Sequence, residues 1–181
     1  GDGGGDGFDG DGNWDVFGPA TSKEFTRDFS WTVKDESTVY KQKSLDKVTF
    51  NDLPSTATSK RSWDLTHSTM IGAIDLTSDD TLTRWFLAAT DVEGDANTVM
   101  QEFHQNSQGL NLLDRHIGKE LCSQANLQNP IFGAQFSTYV EWCHKQRTSP
   151  KGRVFIVMMS LRFRVERNRG KGLNKFDLLQ I

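Results

Sequence analysis

The sequence predicts an α+β fold: a β-rich antiparallel sheet or sandwich with a helical pair inserted near residues 95–128. Three observations carry this expectation. Apolar residues alternate with polar ones around Phe29, Trp31 and Val33 and again around Trp63 and Leu65, the period-two signature of half-buried strands. The run Val154 to Met159 is apolar without interruption and rich in β-branched residues, as in a strand buried on both faces. Between them, from Asp95 to Gln128, the apolar period changes to three and four residues, which is the helical spacing.

Taken in order, residues 1–12 read GDGGGDGFDGDG, with Phe8 the single apolar side chain. Such sequence has nothing to bury against the entropy of ordering, so it is expected to form a flexible acidic arm. A single β-rich globular domain is expected over 13–168, and a basic tail over 169–181. Within the domain, Phe29-Ser-Trp-Thr-Val33 reads as the first strand. Val39, Val48 and Phe50 suggest further strands before Leu53-Pro54, and Ser55 to Ser59 reads as a loop. Trp63-Asp-Leu65 and Met70 to Leu76 complete a meander. Thr81 to Thr90 is ambiguous, because its threonines favour a strand and its Leu-Ala-Ala a helix.

Asp95 is the expected N-cap of a short helix with Val99, Met100 and Phe103 on one face, ended by Gly109. A second helix follows from the spacing of Leu110, Leu113, Ile117 and Leu121, with Gly118 weakening it and Pro130 beyond its end. Residues Phe136 to Trp142 favour strand again. The last strand is expected over Arg153 to Arg167, with Phe155, Val157, Leu161 and Phe163 in the core and Arg162, Arg164 and Glu166 facing outward.

Charge is distributed unevenly. From Lys145 to Ile181 the chain carries a net +8, whereas Gly1 to His144 carries −11, beneath an overall −3. A basic end on an acidic body suits docking to a polyanion, to an acidic neighbour or to another copy. The residues expected to do so are Lys151, Arg153, Arg162, Arg164, Arg167, Arg169, Lys171 and Lys175. Two competing roles for the same charges are neutralisation of the chain's own body and protection of a sheet edge against aggregation.

Motifs for chemistry are sparse. Asp9, Asp11, Asn13 and Asp15 follow the alternate spacing of an EF-hand loop, but Trp14 stands where the turn needs glycine and Ala20 where it needs a bidentate glutamate. Gly4-Gly5-Asp6-Gly7-Phe8-Asp9 matches one opening of a calcium-binding nonapeptide, which binds only when stacked. His104, His116, Cys122, Cys143 and His144 lack the paired spacing of a zinc site. No nucleophile elbow, P-loop or dinucleotide fingerprint occurs, and Asp64 with His67, or Asp114 with His116, are the remaining acid–base pairs. The sequence therefore implies no metal, no cofactor and no enzyme.

The function it favours is a non-enzymatic structural or assembly subunit, of viral coat or matrix type released from a precursor, self-associating as a homo-oligomer or binding an acidic partner. A nucleic-acid-binding module using the basic end, and an enzyme with a dispersed site, are the alternatives. No apolar run reaches the roughly 18 residues of a membrane span, so no membrane insertion is expected. Two cysteines and no glycosylation acceptor suit an intracellular or virion setting.

Overall fold

A computed structural model describes residues 29–164, and all regular secondary structure among the described residues is helical, with no strand. The expected β-rich sheet or sandwich is therefore corrected to an all-helical fold. Two short 3-10 turns, Glu36–Thr38 and Gln42–Lys47, precede α1 (Ala57–Gly72), α2 (Thr81–Leu87), α3 (Ala96–Gln105), α4 (Asn111–Leu121), α5 (Gln124–Leu127) and α6 (Gly133–Gln146). A seventh helix, α7, occupies 152–164 up to the limit of the described residues.

Helix α7 explains the architecture. Every side chain from Arg153 to Leu161 is buried, so this helix has no solvent face along most of its length, and an apolar surface all round is what a core helix needs. Phe155 meets Phe136 and Tyr139 of α6 with ring centroids 4.6 and 5.3 Å apart, and Phe163 meets Phe132 at 5.5 Å. At the N-terminal end, α7 crosses α4 where both carry glycine. A Cβ on Gly118 would lie 2.2 Å from Pro150 O, and one on Gly152 would lie 2.3 Å from the Ile117 side chain. Gly118 thus serves the close approach of two helices, and its low helix propensity is outweighed by that contact.

The other helices begin where their caps require. Thr56 accepts from Ser59 N at 3.0 Å while the Ser59 hydroxyl accepts from Thr56 N, a reciprocal capping box for α1. Asp95 caps α3 through Thr98 N, at the position its sequence predicts. Helix α4 has no cap of its own at Leu110; the carboxylate of Glu36 reaches it from 76 and 77 residues away and accepts from Leu112 N and Leu113 N at 3.0 and 2.8 Å. That anion sits at the positive end of the helix dipole.

Alternation at Phe29, Trp31 and Val33 is real but serves no sheet. The three side chains pack on the core while Ser30, Thr32 and Lys34 are exposed. The segment is held extended by Val33 N donating to Gln108 O at 2.9 Å and by Gln108 Nε2 donating to Trp31 O at 3.0 Å. Gly109 permits this approach: its φ is +85°, and a Cβ there would fall 2.1 Å from Val33 O. No helix among the described residues is long and apolar enough to cross a membrane.

Candidate functional site

The eight basic residues expected to form one cationic surface are dispersed. Arg153 is fully buried (0% exposed) near the start of α7, inside an aromatic cage: its guanidinium carbon lies 4.4 Å from the ring centre of Trp85 and 4.8 Å from that of Phe103. It donates to Trp85 O (3.2 Å), to Gln108 Oε1 (3.1 Å) and to Asn106 O (3.0 Å). Its backbone N–H donates to Asp114 Oδ1 at 2.9 Å, and Asp114 Oδ2 accepts from Ser107 Oγ at 2.7 Å. Burial pushes the Arg153 pKa down to about 10 and raises that of Asp114, whose shift Arg153 opposes. Arg153 is thus a clamp joining α2, the α3–α4 connection and α7, and it has no surface from which to bind a polyanion.

Lys151 is half-buried, and its backbone N–H donates to Tyr139 Oη at 3.0 Å. Arg164 donates to Val92 O and, at 2.9 Å, to Glu93 Oε1. Arg162 is half-buried on the same helix; the strand on which Arg162 and Arg164 were expected does not exist. Arg167, Arg169, Lys171 and Lys175 lie outside the described residues, as do the acidic arm and the EF-hand-like positions Asp9, Asp11, Asn13 and Asp15.

The acid–base pairs are likewise spent on structure. His67 is buried, stacked on Phe50 and tilted against Trp63; its Nδ1 lies 2.7 Å from Trp63 O and its Nε2 accepts from Asn51 N at 3.1 Å. These partners fix the neutral tautomer, and burial lowers the pKa. Asp64 is paired with Lys60 and not with His67. His104 Nδ1 lies 2.7 Å from Tyr139 Oη, which also accepts from Lys151 N. Burial and the nearby Lys151 charge lower the His104 pKa to about 4. His116 Nε2 contacts Val48 O at 3.0 Å. Both cysteines are free thiols; burial pushes Cys143 up to about 12 and raises Cys122 as well. A thiol held so far above neutral pH is a poor nucleophile. Among the described residues no three His, Cys, Asp or Glu side chains gather as a metal site.

A polar concavity with charged groups at its wall is not among the sites the sequence suggests. A cleft of about 390 Å³ lies between the first half of α1, the segment Thr90–Val92 and the end of α7. Its wall includes Lys60, Arg61, Asp64, Asp91, Ser160 and Arg164. Lys60, only 5% exposed, donates to Asp64 Oδ2 at 2.5 Å, while Asp64 Oδ1 is buried without a hydrogen-bond partner. Desolvation lowers the lysine pKa and raises that of the aspartate, their mutual attraction opposing both. The signal was present in the sequence: Lys60 and Asp64 stand at i and i+4, as do Trp63, His67 and Ile71, and both sets are helical spacings.

The viral-coat and RNA-binding readings gain no support from this helical arrangement. Comparison of the chain with protein-family models, with curated proteins and with solved structures finds no significant match in any of the three.

Proposed function

We propose that the chain is a non-enzymatic assembly subunit: a helical body that carries oppositely charged sequences at its two ends and associates through them with copies of itself or with a charged partner. The observation that carries this reading is where the charge resides. Residues 29–164 contain fifteen Lys/Arg and fifteen Asp/Glu, so the folded body is neutral. Residues 1–28 hold seven acidic and two basic side chains, whereas 165–181 hold four basic and two acidic ones. Of the six basic residues from 145 to 164, Arg153 in its cage and Arg164 on Glu93 are engaged by the body itself. Lys145 and Arg147 remain exposed on the body, and Arg167, Arg169, Lys171 and Lys175 supply the basic charge of the C-terminal sequence. A second support is that burial raises the pKa of both thiols, which keeps them protonated and weakly nucleophilic at neutral pH.

Light scattering coupled to size exclusion tests this at about 50 and about 500 mM salt, conditions that bracket strong and weak screening. Association of the wild type is expected to weaken with salt, and the variant with Gln at 167, 169, 171 and 175 is expected to be monomeric at both. A wild type that stays monomeric at low salt, or a variant that associates like the wild type, overturns the reading.

A further inference from the structure

The α1/α7 cleft has more charge at its wall than folding requires. Burying an ion pair such as Lys60–Asp64 contributes little to stability, because desolvation offsets the attraction unless every remaining polar atom is satisfied. Among the described residues Asp64 Oδ1 is not satisfied, and the lysine ammonium has one partner for its three protons. The volume, about 390 Å³, falls in the range of small-molecule sites.

The chemistry of an occupant follows from which groups are already engaged. Lys60 is bound to Asp64, and Arg164 to Val92 O and Glu93. The side chains of Arg61 and Asp91 have neither an ion pair nor a hydrogen bond among the described residues, and both are exposed at the cleft. At the first turn of α1, Thr56 takes the N–H groups of Ser59 and Lys60. Those of Ala57 and Thr58, residues that also line the cleft, have no acceptor among the described residues, as in any first helical turn. The site thus offers donors at one end, Arg61 with the start of α1, and a carboxylate acceptor in Asp91, while Asp64, with Oδ1 buried and Oδ2 on Lys60, supplies charge behind the wall. With Arg164 balanced by Glu93, Lys60 and Arg61 balance Asp64 and Asp91, so a ligand of zero net charge leaves the cleft neutral.

We propose that this cleft binds a small zwitterion of the amino-acid class, a free amino acid or a dipeptide, with its carboxylate held by Arg61 and the first turn of α1 and its ammonium by Asp91. The inference is independent of the assembly reading, since none of these residues belongs to the terminal sequences.

The test uses the full chain and the twenty amino acids with a panel of glycyl dipeptides, screened by thermal shift and then by calorimetry up to about 10 mM, the weak end of measurable affinity. At least one zwitterion is expected to bind, and its N-acetyl and carboxamide derivatives to bind about tenfold more weakly or worse, as for the loss of a charge-assisted contact. Arg61→Gln should abolish the distinction between the zwitterion and its carboxamide, and Asp91→Asn that between the zwitterion and its N-acetyl form. Both positions are exposed, so circular dichroism should report an unchanged fold. No binding by any member of the panel, or a best binder indifferent to both substitutions, overturns the proposal.

Discussion

Replacing Arg153 by Met tests whether a buried cation organises this core. The substitution keeps a long, flexible stem and removes a guanidinium that donates to Trp85 O, Gln108 Oε1 and Asn106 O while lying against the rings of Trp85 and Phe103. Three acceptors packed around the guanidinium lose a donor. Each orphaned buried acceptor costs about 1–3 kcal/mol, and losing the charge that attracts buried Asp114 adds to this, the terms overlapping. A loss of about 4 kcal/mol is therefore expected, against a total of roughly 5–15 kcal/mol for a domain. With a urea dependence of about 2 kcal/mol per molar, the denaturation midpoint should fall by about 2 M. Arg153→Lys should rescue little, because an ammonium cannot reproduce a planar fork that reaches three acceptors. The loss should also shrink as the pH falls. Asp114 already has a raised pKa, so the folded form takes up a proton more readily than the unfolded one on acidification, and it does so more strongly once Arg153 is gone. Equilibrium unfolding that gives less than about 1 kcal/mol for Arg153→Met, or near-wild-type stability for Arg153→Lys, would refute the clamp.

Two further outcomes follow from the same contacts. Gly118→Ala should destabilise by about 1–3 kcal/mol although alanine is the better helix former, because its Cβ would meet Pro150 O at 2.2 Å, a backbone atom that cannot rotate away; a stabilised variant in thermal unfolding would remove the α4/α7 crossing. Stability should decline as the pH drops from about 6.5 towards 4, because the unfolded histidines take up protons that His104, with its pKa lowered to about 4, and His67 refuse while folded. Each contributes at most about 1.4 kcal/mol per pH unit, and His104→Asn should flatten the slope in a pH series of urea titrations.

How far the fold was legible can be judged element by element. The helical pair was readable because α3 and α4 are amphipathic: Val99, Met100 and Phe103, then Leu113, Ile117 and Leu121, bury one face while Gln105, Asn111, Arg115 and Lys119 stay exposed. Asp95 gave its boundary through a cap that is local in sequence. The candidate cleft was hidden for a related reason. Thr56, Ser59, Lys60 and Asp64 make sense only once α1 is a helix, and reading Ser55 to Ser59 as a loop and Trp63-Asp-Leu65 as a strand set Lys60 and Asp64 apart. Glu36, which caps α4 across 76 residues, leaves no local trace at all.

The largest misreading, α7, has a physical origin. Periodicity reports the contrast between a wet face and a dry one, and a segment dry on every side has none. Val154 to Met159 satisfies a central strand and a central helix equally well, and the β-branched Val154, Ile156 and Val157 tilt the choice the wrong way by a few tenths of a kcal/mol each. Packing outweighs that preference: burying one Val, Ile or Phe side chain stabilises by about 1.5–3 kcal/mol, and ten consecutive buried residues, Gly152 to Leu161, draw on it together. Arg153 completed the illusion. Preceded by Lys151 and followed by Arg162 and Arg164, it looked like one more cation on a basic face, yet the helix turns it inward to Trp85, Phe103 and the Asp114 network. The same rotation that buries Arg153 brings Ser160 and Arg164 to the cleft beside Lys60 and Asp91. One helix therefore both removes a residue from the expected cationic surface and builds the concavity that the sequence did not disclose.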